Sequence, residues 1–415
     1  MNHAFERVAI VGLGYIGLPT AAVLADTGIA VIGVDINSEI VDTINRGEIH
    51  IVEPALDVIV RKAVKTGRLR AATIPELADA FIIAVPTPFK GRYEPDLSYV
   101  QAATRSIAPY LKRGDLIILE STCPVGTTEK LTQWLADARP DLGFPTEHSI
   151  HVDVNVAYCP ERVLPGKILA ELVSNDRVIG GITPQCSARA QSLYMHFVKG
   201  ECIISNARTA EMCKLTENSF RDVNIAFANE LSLICDKLGI SVWELIRLAN
   251  HHPRVNVLNP GPGVGGHCIA VDPWFIVDSA PELAKIITTA RAVNDGKPQY
   301  VVDKIKTAAI SFDEPKVACL GLTFKADIDD LRESPALQIV KTLAKESMHL
   351  LLVEPFITTL PNEFVRKDNV ALVSLEEALQ QADIVVGLVD HTCFKQINPE
   401  HLKCKTVIDA RGIWG

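Results

Sequence analysis

A cysteine in a glycine-rich loop is the residue with the clearest chemical potential. Cys268 follows Gly265, Gly266 and His267, and Asp272 comes four residues later. A cysteine thiolate can add to an aldehyde, and the resulting thiohemiacetal can be oxidised to a thioester. Flanking glycines would let a substrate carbon approach the sulfur closely. Because most cysteines are buried packing residues, a structural role for Cys268 also stays open at this point.

His267 is interpreted as a lining residue of the same loop, with a role as a base as the alternative. A metal site is not expected, because no further ligand accompanies His267 at a suitable spacing. The ten cysteines contain no C-x-x-C pair. Their scatter along a long chain is typical of a reduced intracellular protein and not of a disulfide framework.

Three polar residues share one face of a predicted helix. Lys214, Asn218 and Arg221 are spaced i, i+4 and i+7, which brings them to the same side. An ammonium, an amide and a guanidinium on one face suit an anionic ligand or a developing oxyanion. Glu211, one turn earlier, could pair with Lys214 instead, and the face would then be an ordinary solvated surface. The spacing leaves both interpretations open.

A G-x-G-x-x-G pattern occupies Gly12, Gly14 and Gly17, between the apolar run Arg7–Val11 and an Ala/Leu-rich segment. In this strand–loop–helix context the glycines allow a tight turn and close approach to a pyrophosphate at the helix N-terminus. Asp35 ends the next apolar run, 18 residues after Gly17. Its carboxylate would accept hydrogen bonds from ribose hydroxyls and repel a 2′-phosphate. No arginine follows at once, so the pattern predicts NAD and not NADP.

The elements that would position these residues follow a βα rhythm in the first half of the chain. Apolar runs typical of buried strands end at polar or turn residues, with helical patterns between them. The runs cover Arg7–Val11, Ala30–Val34, 81–85, Leu116–Leu119 and Asn155–Tyr158. This alternation predicts a parallel, doubly wound sheet that binds its ligands at the carboxyl ends of the strands.

The pattern changes near residue 206. One long helix is predicted over 209–238 and a second over 242–250, and a glycine-rich loop at 260–266 interrupts this mainly helical region. A βα rhythm then returns. Its predicted strands are Lys316–Leu320, His349–Val353, 370–373, 384–389 and Thr406–Asp409.

The sequence therefore predicts an α/β protein in which a central helical domain with a long helix joins two Rossmann-like, doubly wound parallel-sheet domains. The length of 415 residues agrees with several domains, because single cores rarely exceed ~250–300 residues. We place a dinucleotide-binding domain at 1–205, the helical domain at 206–309 and a second α/β domain at 310–415.

Composition excludes several classes of protein. Hydrophobic residues make up 48% and charged residues 22%, which favours a packed chain over wholesale disorder. A net charge of −9 argues against a general binder of nucleic acid or anionic membranes. The apolar N-terminal stretch is interrupted by glycines and Pro19, and no run reaches the ~18 apolar residues of a membrane span. The expected location is the cytoplasm.

Taken in order, the motifs resemble the nucleotide-sugar 6-dehydrogenase family, whose members include UDP-glucose and GDP-mannose dehydrogenases. The resemblance covers nearly the whole chain. It is carried by the Gly12–Gly17 loop, Pro160-Glu161-Arg162, Lys214-x-x-x-Asn218, Gly266-His267-Cys268, Phe324-Lys325 and Leu331-Arg332-Glu333-Ser334. The resemblance implies a four-electron oxidation of a sugar CH2OH group to a carboxylate with two NAD+, through a thiohemiacetal and a thioester.

The same resemblance implies a role for each site residue. The catalytic set is Cys268 as the thiol that traps the aldehyde, Lys214 as general acid/base, Asn218 as oxyanion donor, Asp272 as an aid to proton transfer, and Glu161 and Thr122 as residues that position or activate water. The NAD contacts are Gly12, Gly14, Tyr15, Ile16, Gly17, Asp35, Thr87, Thr122 and Arg332. The nucleotide-sugar contacts are Arg162, Val163, Lys214, Asn218, Arg221, His252, Arg254, Gly265 and Lys325.

Partners and substrate are also implied by the resemblance. The central helical domain would form a homodimer through its long helix, Arg254 would reach the site of the neighbouring subunit, and the last domain would bind the UDP-sugar. UDP-glucose enzymes carry serine where His267 stands. Glucose is therefore the less expected sugar. The segments 158–166 and 261–274 most resemble family members that act on UDP-N-acetyl-D-mannosamine, whose uronic acid is used in enterobacterial common antigen. UDP-N-acetylglucosamine stays open, because its 6-dehydrogenases share the Gly-His-Cys pattern.

Two other functions stay open. A two-electron dehydrogenase of the 6-phosphogluconate or 3-hydroxyacid type would share the first domain and a helical domain with a catalytic lysine. It would need neither the cysteine nor a second α/β domain. A non-catalytic NAD-binding regulator would bind the cofactor and form no NADH.

Overall fold

The computed structural model describes residues 5–91, 93–149, 152–266, 268–365 and 367–414. The chain divides into two compact units, Met1–Thr216 and Glu217–Gly415. Across the described ranges, no helix combines the length and the apolar character that a membrane crossing requires.

The first unit is built on an eight-stranded sheet with the order β10-β9-β8-β7-β4-β1-β2-β3. The strands are β1 (Arg7–Val11), β2 (Ala30–Val34), β3 (Leu69–Ala72), β4 (Ala80–Ile83), β7 (Leu116–Leu119), β8 (Asn155–Tyr158), β9 (Arg177–Gly181) and β10 (Cys202–Asn206), with a separate hairpin of β5 (Phe89–Lys90) and β6 (Glu94–Pro95). Within this sheet, the six neighbouring strands β3-β2-β1-β4-β7-β8 have the Rossmann order. The switch point of that order lies between β1 and β4.

Helices cover both faces of this sheet. They are α1 (Gly17–Asp26), α2 (Ser38–Asn45), α3 (Leu56–Lys65), α4 (Ser98–Ile107), α5 (Thr127–Ala138), α6 (Ile168–Ser174) and α7 (Pro184–Tyr194). Strand β1 shows how the apolar run serves two cores. Val8 and Ile10 belong to one core and Ala9 and Val11 to the other, because successive side chains of a strand point to opposite faces.

The second unit contains a five-stranded parallel sheet with the order β13-β12-β11-β14-β15. Its strands are β11 (Lys316–Leu320), β12 (His349–Val353), β13 (Val370–Leu372), β14 (Ile384–Gly387) and β15 (Thr406–Asp409). The remaining helices are α8 (Ala207–Leu238), which begins in the first unit, α9 (Val242–Ala249), α10 (Asp272–Ser279), α11 (Lys285–Ala309), α12 (Pro335–Leu343) and α13 (Leu375–Gln381). Val301, Val302 and Ile305 of α11 pack into the core of this sheet.

The predicted α/β class is confirmed, and several predicted strands have the observed bounds. Strand β4 begins one residue earlier and ends two residues earlier than the predicted 81–85. Strands β3, β9 and β10 and the β5–β6 hairpin were not predicted. The prediction of a parallel first sheet also fails at one pair, because β8 and β9 pair antiparallel, with Tyr158 opposite Gly180. Hydrophobic periodicity reports which residues are buried and carries no information about strand direction. The three domain boundaries stay predictions.

Candidate active site

The glycines of the β1–α1 loop each meet a different steric demand. Gly12 has a φ of +94°, and a Cβ there would lie 2.6 Å from the carbonyl oxygen of Ala84. A Cβ on Gly17 would lie 1.8 Å from the carbonyl oxygen of Gly12. Gly14 differs, because nothing lies within 4 Å of its Cβ position. The loop thus has two glycines required by packing and one that leaves space for a ligand, as a pyrophosphate site needs.

Asp35 joins this loop to the end of β2. One carboxylate oxygen accepts the N–H of Leu13 and the other accepts the N–H of Asn37, both at 3.0 Å. The side chain stays partly exposed. Helix α1 has no acidic residue in its first turn, so none of the helix's own side chains opposes an anion at its N-terminus. These residues fit NAD, with the loop and α1 at the phosphates and Asp35 at a ribose.

His50 is a neighbour of Asp35 that no sequence motif indicates. Burial lowers the pKa of His50, although Asp35 acts in the opposite direction. A neutral imidazole leaves the Asp35 carboxylate without a competing cation at neutral pH. Nothing in the local sequence signals this, because His50 lies 15 residues beyond Asp35.

Thr87 and Thr122 connect the ends of β4 and β7. The Thr87 hydroxyl donates to the carbonyl of Thr122 over 2.6 Å, and the Ser121 hydroxyl donates to the carbonyl of Val85 over 2.7 Å. Thr87 is buried and Thr122 is partly exposed. The structure therefore brings these two predicted residues together beside the switch point of the first sheet.

Glu161 is buried and held on both oxygens. Arg177 donates to Oε2 over 2.7 Å, and the N–H of Arg162 donates to Oε1 over 2.7 Å. The Arg162 guanidinium donates to the carbonyl of Asp176 over 3.1 Å. Val163 packs against the first core. The segment after β8 is thus fixed by contacts within the first unit.

Helix α8 carries Lys214, Asn218 and Arg221, as predicted. The predicted alternative, an ion pair between Glu211 and Lys214, is not observed. Glu211 accepts the N–H groups of Gly126 and Thr128 over 2.6 and 2.8 Å, which satisfies the N-terminus of α5. Within the described ranges, the Lys214 ammonium has no hydrogen-bond or ion-pair partner.

Asn218, Asp272 and Cys268 form a connected group in the second unit. The Asn218 amide donates to Oδ2 of Asp272 over 2.5 Å. Asp272 is the buried first residue of α10, and its N–H donates to the carbonyl of Cys268 over 2.9 Å. Cys268 is exposed in the turn before α10. An amide NH2 has two donors, so Asn218 keeps one for a ligand oxygen. His267 lies outside the described residues.

The glycines before Cys268 pack against a different part of the second unit. A Cβ on Gly265 would lie 2.5 Å from the carbonyl oxygen of Glu333, and one on Gly266 would lie 3.0 Å from the Phe324 ring. The predicted reason for these glycines was room for a substrate at the sulfur. The structure shows that they also permit contact with the 324–335 segment.

Lys325 and Arg332 lie in that segment and differ in their surroundings. The exposed Lys325 ammonium has no partner in the part of the chain that the structure covers. Arg332 is held by Asp330, with Nε to Oδ1 at 3.0 Å and Nη2 to Oδ2 at 2.6 Å. The NAD contact expected of Arg332 stays a prediction.

His252 and Arg254 lie in an exposed loop. Asn250 and Val257 close it with two hydrogen bonds of 3.0 and 2.7 Å. The N–H of Arg254 donates to Nδ1 of His252 over 3.3 Å. Like Arg221 on α8, the Arg254 guanidinium has no partner in the described ranges. Cations kept without carboxylate partners are suited to anionic ligands.

Comparison with protein-family models matches almost all of the chain. Residues 6–198 match the NAD binding domain of the UDP-glucose/GDP-mannose dehydrogenase family, 208–296 match its central domain, and 318–415 match its UDP binding domain.

Among curated proteins, an NDP-N-acetyl-D-galactosaminuronic acid dehydrogenase of Ralstonia nicotianae is 63% identical over 411 residues, which cover 99% of this chain and 96% of that protein. A UDP-N-acetyl-D-mannosamine dehydrogenase of Yersinia pestis is 60% identical over 423 aligned positions, covering 99% and 100%. The solved structure of a UDP-D-ManNAc dehydrogenase from Pyrococcus horikoshii has a TM-score of 0.88 and 40% identity, covering 99% and 96%.

Proposed function

The chain belongs to the UDP-glucose/GDP-mannose dehydrogenase family, and we propose that it oxidises UDP-N-acetyl-D-mannosamine at C6 to UDP-N-acetyl-D-mannosaminuronate. Family membership makes it an NAD-dependent nucleotide-sugar dehydrogenase. The observation that carries the four-electron reaction is the exposed Cys268 in a turn fixed by Asp272, with Asn218 hydrogen-bonded to the same carboxylate. When bound, NAD+ accepts a hydride from C6 in each of two oxidations.

The first oxidation needs a group that removes the proton of the C6 hydroxyl. We assign this to Lys214, which acts as the neutral amine and becomes the ammonium as it takes up the proton. Within the described ranges no carboxylate pairs with its side chain. Cys268 then adds to the aldehyde, and the second N–H of Asn218 stabilises the oxyanion that forms on the C6 oxygen. Asp272 orients that amide and takes part in proton transfer. The second oxidation leaves a thioester on Cys268.

Hydrolysis of the thioester requires an ordered water. We assign its positioning and activation to Thr122 and Glu161. The partly exposed Thr122 side chain and the carboxylate of Glu161 belong to the same unit. Removal of Glu161 should leave both oxidations possible and slow only the release of the acid.

The substrate is a dianionic diphosphate, which a chain of net charge −9 must bind at local cations. Arg221, Arg254 and Lys325 are proposed for this purpose, together with Arg162, while Lys214 contacts the substrate at the C6 hydroxyl. Lys325 lies in the region that matches the family's UDP binding domain. Val163, His252 and Gly265 are proposed to contact the sugar or nucleotide through shape and main-chain groups.

The N-acetylmannosamine assignment is supported by the Yersinia relative and the Pyrococcus structure. A second candidate is the galactose-configured N-acetylated sugar, which the Ralstonia relative favours. The two sugars differ in configuration at C2 and at C4, which a pocket discriminates by side-chain placement.

We further propose a homodimer through α8. Phe220, Phe227 and Ile234 are 68%, 54% and 45% exposed, and their seven-residue spacing forms one apolar stripe along the helix. Exposed apolar stripes of this kind mark interfaces. Arg254, in its exposed loop, would act in the partner's site.

An NADH assay over a panel of UDP- and GDP-sugars tests the function. We expect about two NADH per UDP-N-acetylmannosamine, and Cys268→Ser should abolish net NADH formation. A ratio near one would identify a two-electron dehydrogenase, and no NADH on any sugar would favour a regulator. Mixed dimers of Arg254→Ala and Cys268→Ser subunits should regain activity if the site is shared. Failure to do so would argue against Arg254 acting in trans.

A further inference from the structure

A buried cluster of charges lies behind Glu161. Glu120 follows β7, Glu161 lies three residues after β8, and Arg177 opens β9. Because β7, β8 and β9 are neighbours in the sheet, their ends bring these side chains together. Tyr194, the last residue of α7, completes the group, and all four side chains are buried.

Arg177 lies between the two carboxyl groups. Its Nη2 donates to Glu161 over 2.7 Å, and its Nη1 lies 3.9 Å from Oε1 of Glu120. The Tyr194 hydroxyl donates to the same Oε1 over 2.6 Å. Oε2 of Glu120 is buried without a hydrogen-bond partner in the described ranges. Glu120 thus has an unused acceptor in a closely packed ionic cluster, which is a costly arrangement for a purely structural carboxylate.

The charges of the cluster do not balance if both carboxyl groups ionise. One guanidinium would then face two buried carboxylates. Burial raises the pKa of Glu120 to about 7, and Glu161 acts in the same direction while Arg177 and Tyr194 oppose it. Burial also raises the pKa of the adjacent Cys159 thiol to about 12. Near neutral pH Glu120 therefore takes up or releases a proton, while Arg177 keeps its charge and the thiol stays neutral.

We propose that Glu120 is a positioning residue for Glu161. Glu120 supplies the negative charge that pairs with Arg177 whenever Glu161 takes up a proton. This inference rests on the proposed function. In the hydrolysis, water adds to the acyl carbon, a C–O bond forms and the C–S bond to Cys268 breaks. One water proton passes to Glu161, and the other neutralises the departing sulfur as the product becomes a carboxylate.

Without Glu120, protonation of Glu161 would leave Arg177 buried and unpaired, which is strongly unfavourable. Arg177 would then hold Glu161 in its ionised form and make it a weaker base. The oxidation steps do not need this proton acceptor. The contribution of Glu120 is therefore specific to thioester hydrolysis and to pH values at which Glu120 can ionise.

Glu120→Gln tests the proposal, because glutamine keeps the size and the acceptor for Tyr194. We expect kcat to fall about tenfold, part of what a general base contributes, with KM values nearly unchanged. The acyl group should accumulate on Cys268, as measured by intact mass during turnover. The rise of kcat through pH 7 should flatten. Normal turnover without acyl-enzyme would overturn the proposal.

Two further variants keep the test decisive. Tyr194→Phe removes a hydrogen bond that favours the ionised Glu120, so the inflection in the pH profile should move to higher pH. An unmoved inflection would contradict the role of Glu120. Glu211→Gln is the matched control, because Glu211 is also buried with its pKa raised by burial and serves α5. It should lower stability without accumulating acyl-enzyme.

Glu161→Gln separates the inference from the proposed function. If Glu161→Gln accumulates acyl-enzyme and Glu120→Gln does not, the inference on Glu120 fails and the proposed function stands. If neither variant accumulates it and the wild type yields one NADH per sugar, the four-electron function itself fails.

Discussion

The two parallel sheets of the chain begin in the same way. The order β3-β2-β1-β4-β7 in the first corresponds to β13-β12-β11-β14-β15 in the second. We call each of these two sets of five strands a frame. Gly12 and Gly321 follow the first strand of each frame, and both have a φ of +94°. Each donates its N–H over 2.8 Å to the last carbonyl of the next strand, at Val34 or Val353. The Rossmann-like frame is repeated down to single hydrogen bonds.

The carboxylate after the second strand shows where the frames diverge. Asp35 accepts the N–H of Leu13 and stays partly exposed. Glu354 accepts the N–H of Leu322 over 2.7 Å, but its side chain has no exposed surface and contacts Nε2 of His391 at 3.1 Å. A carboxylate in that position recognises a ribose only if a ligand can reach it. The first frame meets this condition and the second does not.

The loop that follows each glycine differs accordingly. Helix α1 begins at Gly17, five residues after Gly12, whereas α12 begins at Pro335, fourteen residues after Gly321. His391 accepts the N–H of Asp327 over 2.9 Å and so fixes the longer loop, which carries Lys325. The same arrangement of strands thus serves a short dinucleotide turn in one unit and anchors a long loop that carries Lys325 in the other.

Among variants that compare the two sheets, Asp35→Ala should have the largest effect. Loss of a charged hydrogen-bonding group at the ribose should raise the KM for NAD about 100-fold. The KM for the nucleotide sugar should change little, because the variant alters only the first frame. Initial NADH rates with each substrate varied in turn measure both values. An unchanged KM for NAD would show that the dinucleotide does not use this carboxylate.

Gly14→Ala should have the next largest effect. The Cβ position is open, so the free energy of unfolding should change by less than about 0.5 kcal/mol. A methyl group would obstruct the pyrophosphate, and the KM for NAD should rise about tenfold. Gly17→Ala is the contrasting variant and should destabilise the protein, because its Cβ would overlap the Gly12 carbonyl. Equal thermal shifts for the two variants would contradict this division of roles.

Glu354→Gln is the counterpart of the Asp35 variant in the second frame. It weakens the contacts of Glu354 with Leu322 and His391 that position the loop carrying Lys325. We therefore expect a rise of about fivefold in the KM for the nucleotide sugar. The KM for NAD should stay within about twofold of wild type. A larger change for NAD than for the sugar would mean that the second frame also takes part in dinucleotide binding.

Ser334→Ala should have the smallest effect. The Ser334 hydroxyl caps α12 and donates to the carbonyl of Leu322 over 2.6 Å. Its loss should cost about 1–2 kcal/mol of unfolding free energy, measured by urea denaturation. The exposed Ser374 side chain caps α13 by accepting the N–H of Glu377. Ser374→Ala should therefore lower the free energy of unfolding by about 1 kcal/mol or less. Equal losses would indicate that the bond to Leu322 contributes nothing.

Local sequence patterns predicted much of this architecture. Strands β1, β2 and β11 have the predicted bounds because each is an apolar run that ends at a glycine or an aspartate. The G-x-G-x-x-G spacing and the position of Asp35 likewise express local steric and hydrogen-bonding needs. These features depend on residues close together in the chain.

The cluster behind Glu161 could not be predicted in this way. Glu120 and Arg177 are 57 residues apart and meet only because β7 and β9 flank β8. The helix-capping role of Glu211 and the burial of Glu354 against His391 also depend on tertiary neighbours. Polar residues in a strand-end motif are visible in a sequence, but their protonation and partners are set by packing.

The contact of Gly265 with Glu333 also has a consequence for recombination. The loop before Cys268 and the 324–335 segment pack too closely for a side chain at Gly265. A substitution that changes the shape of one segment therefore requires a compensating substitution in the other. A chimera that exchanges the last α/β region between relatives to alter sugar preference should keep both segments from one parent. A crossover placed between them would join surfaces that were never selected to fit together.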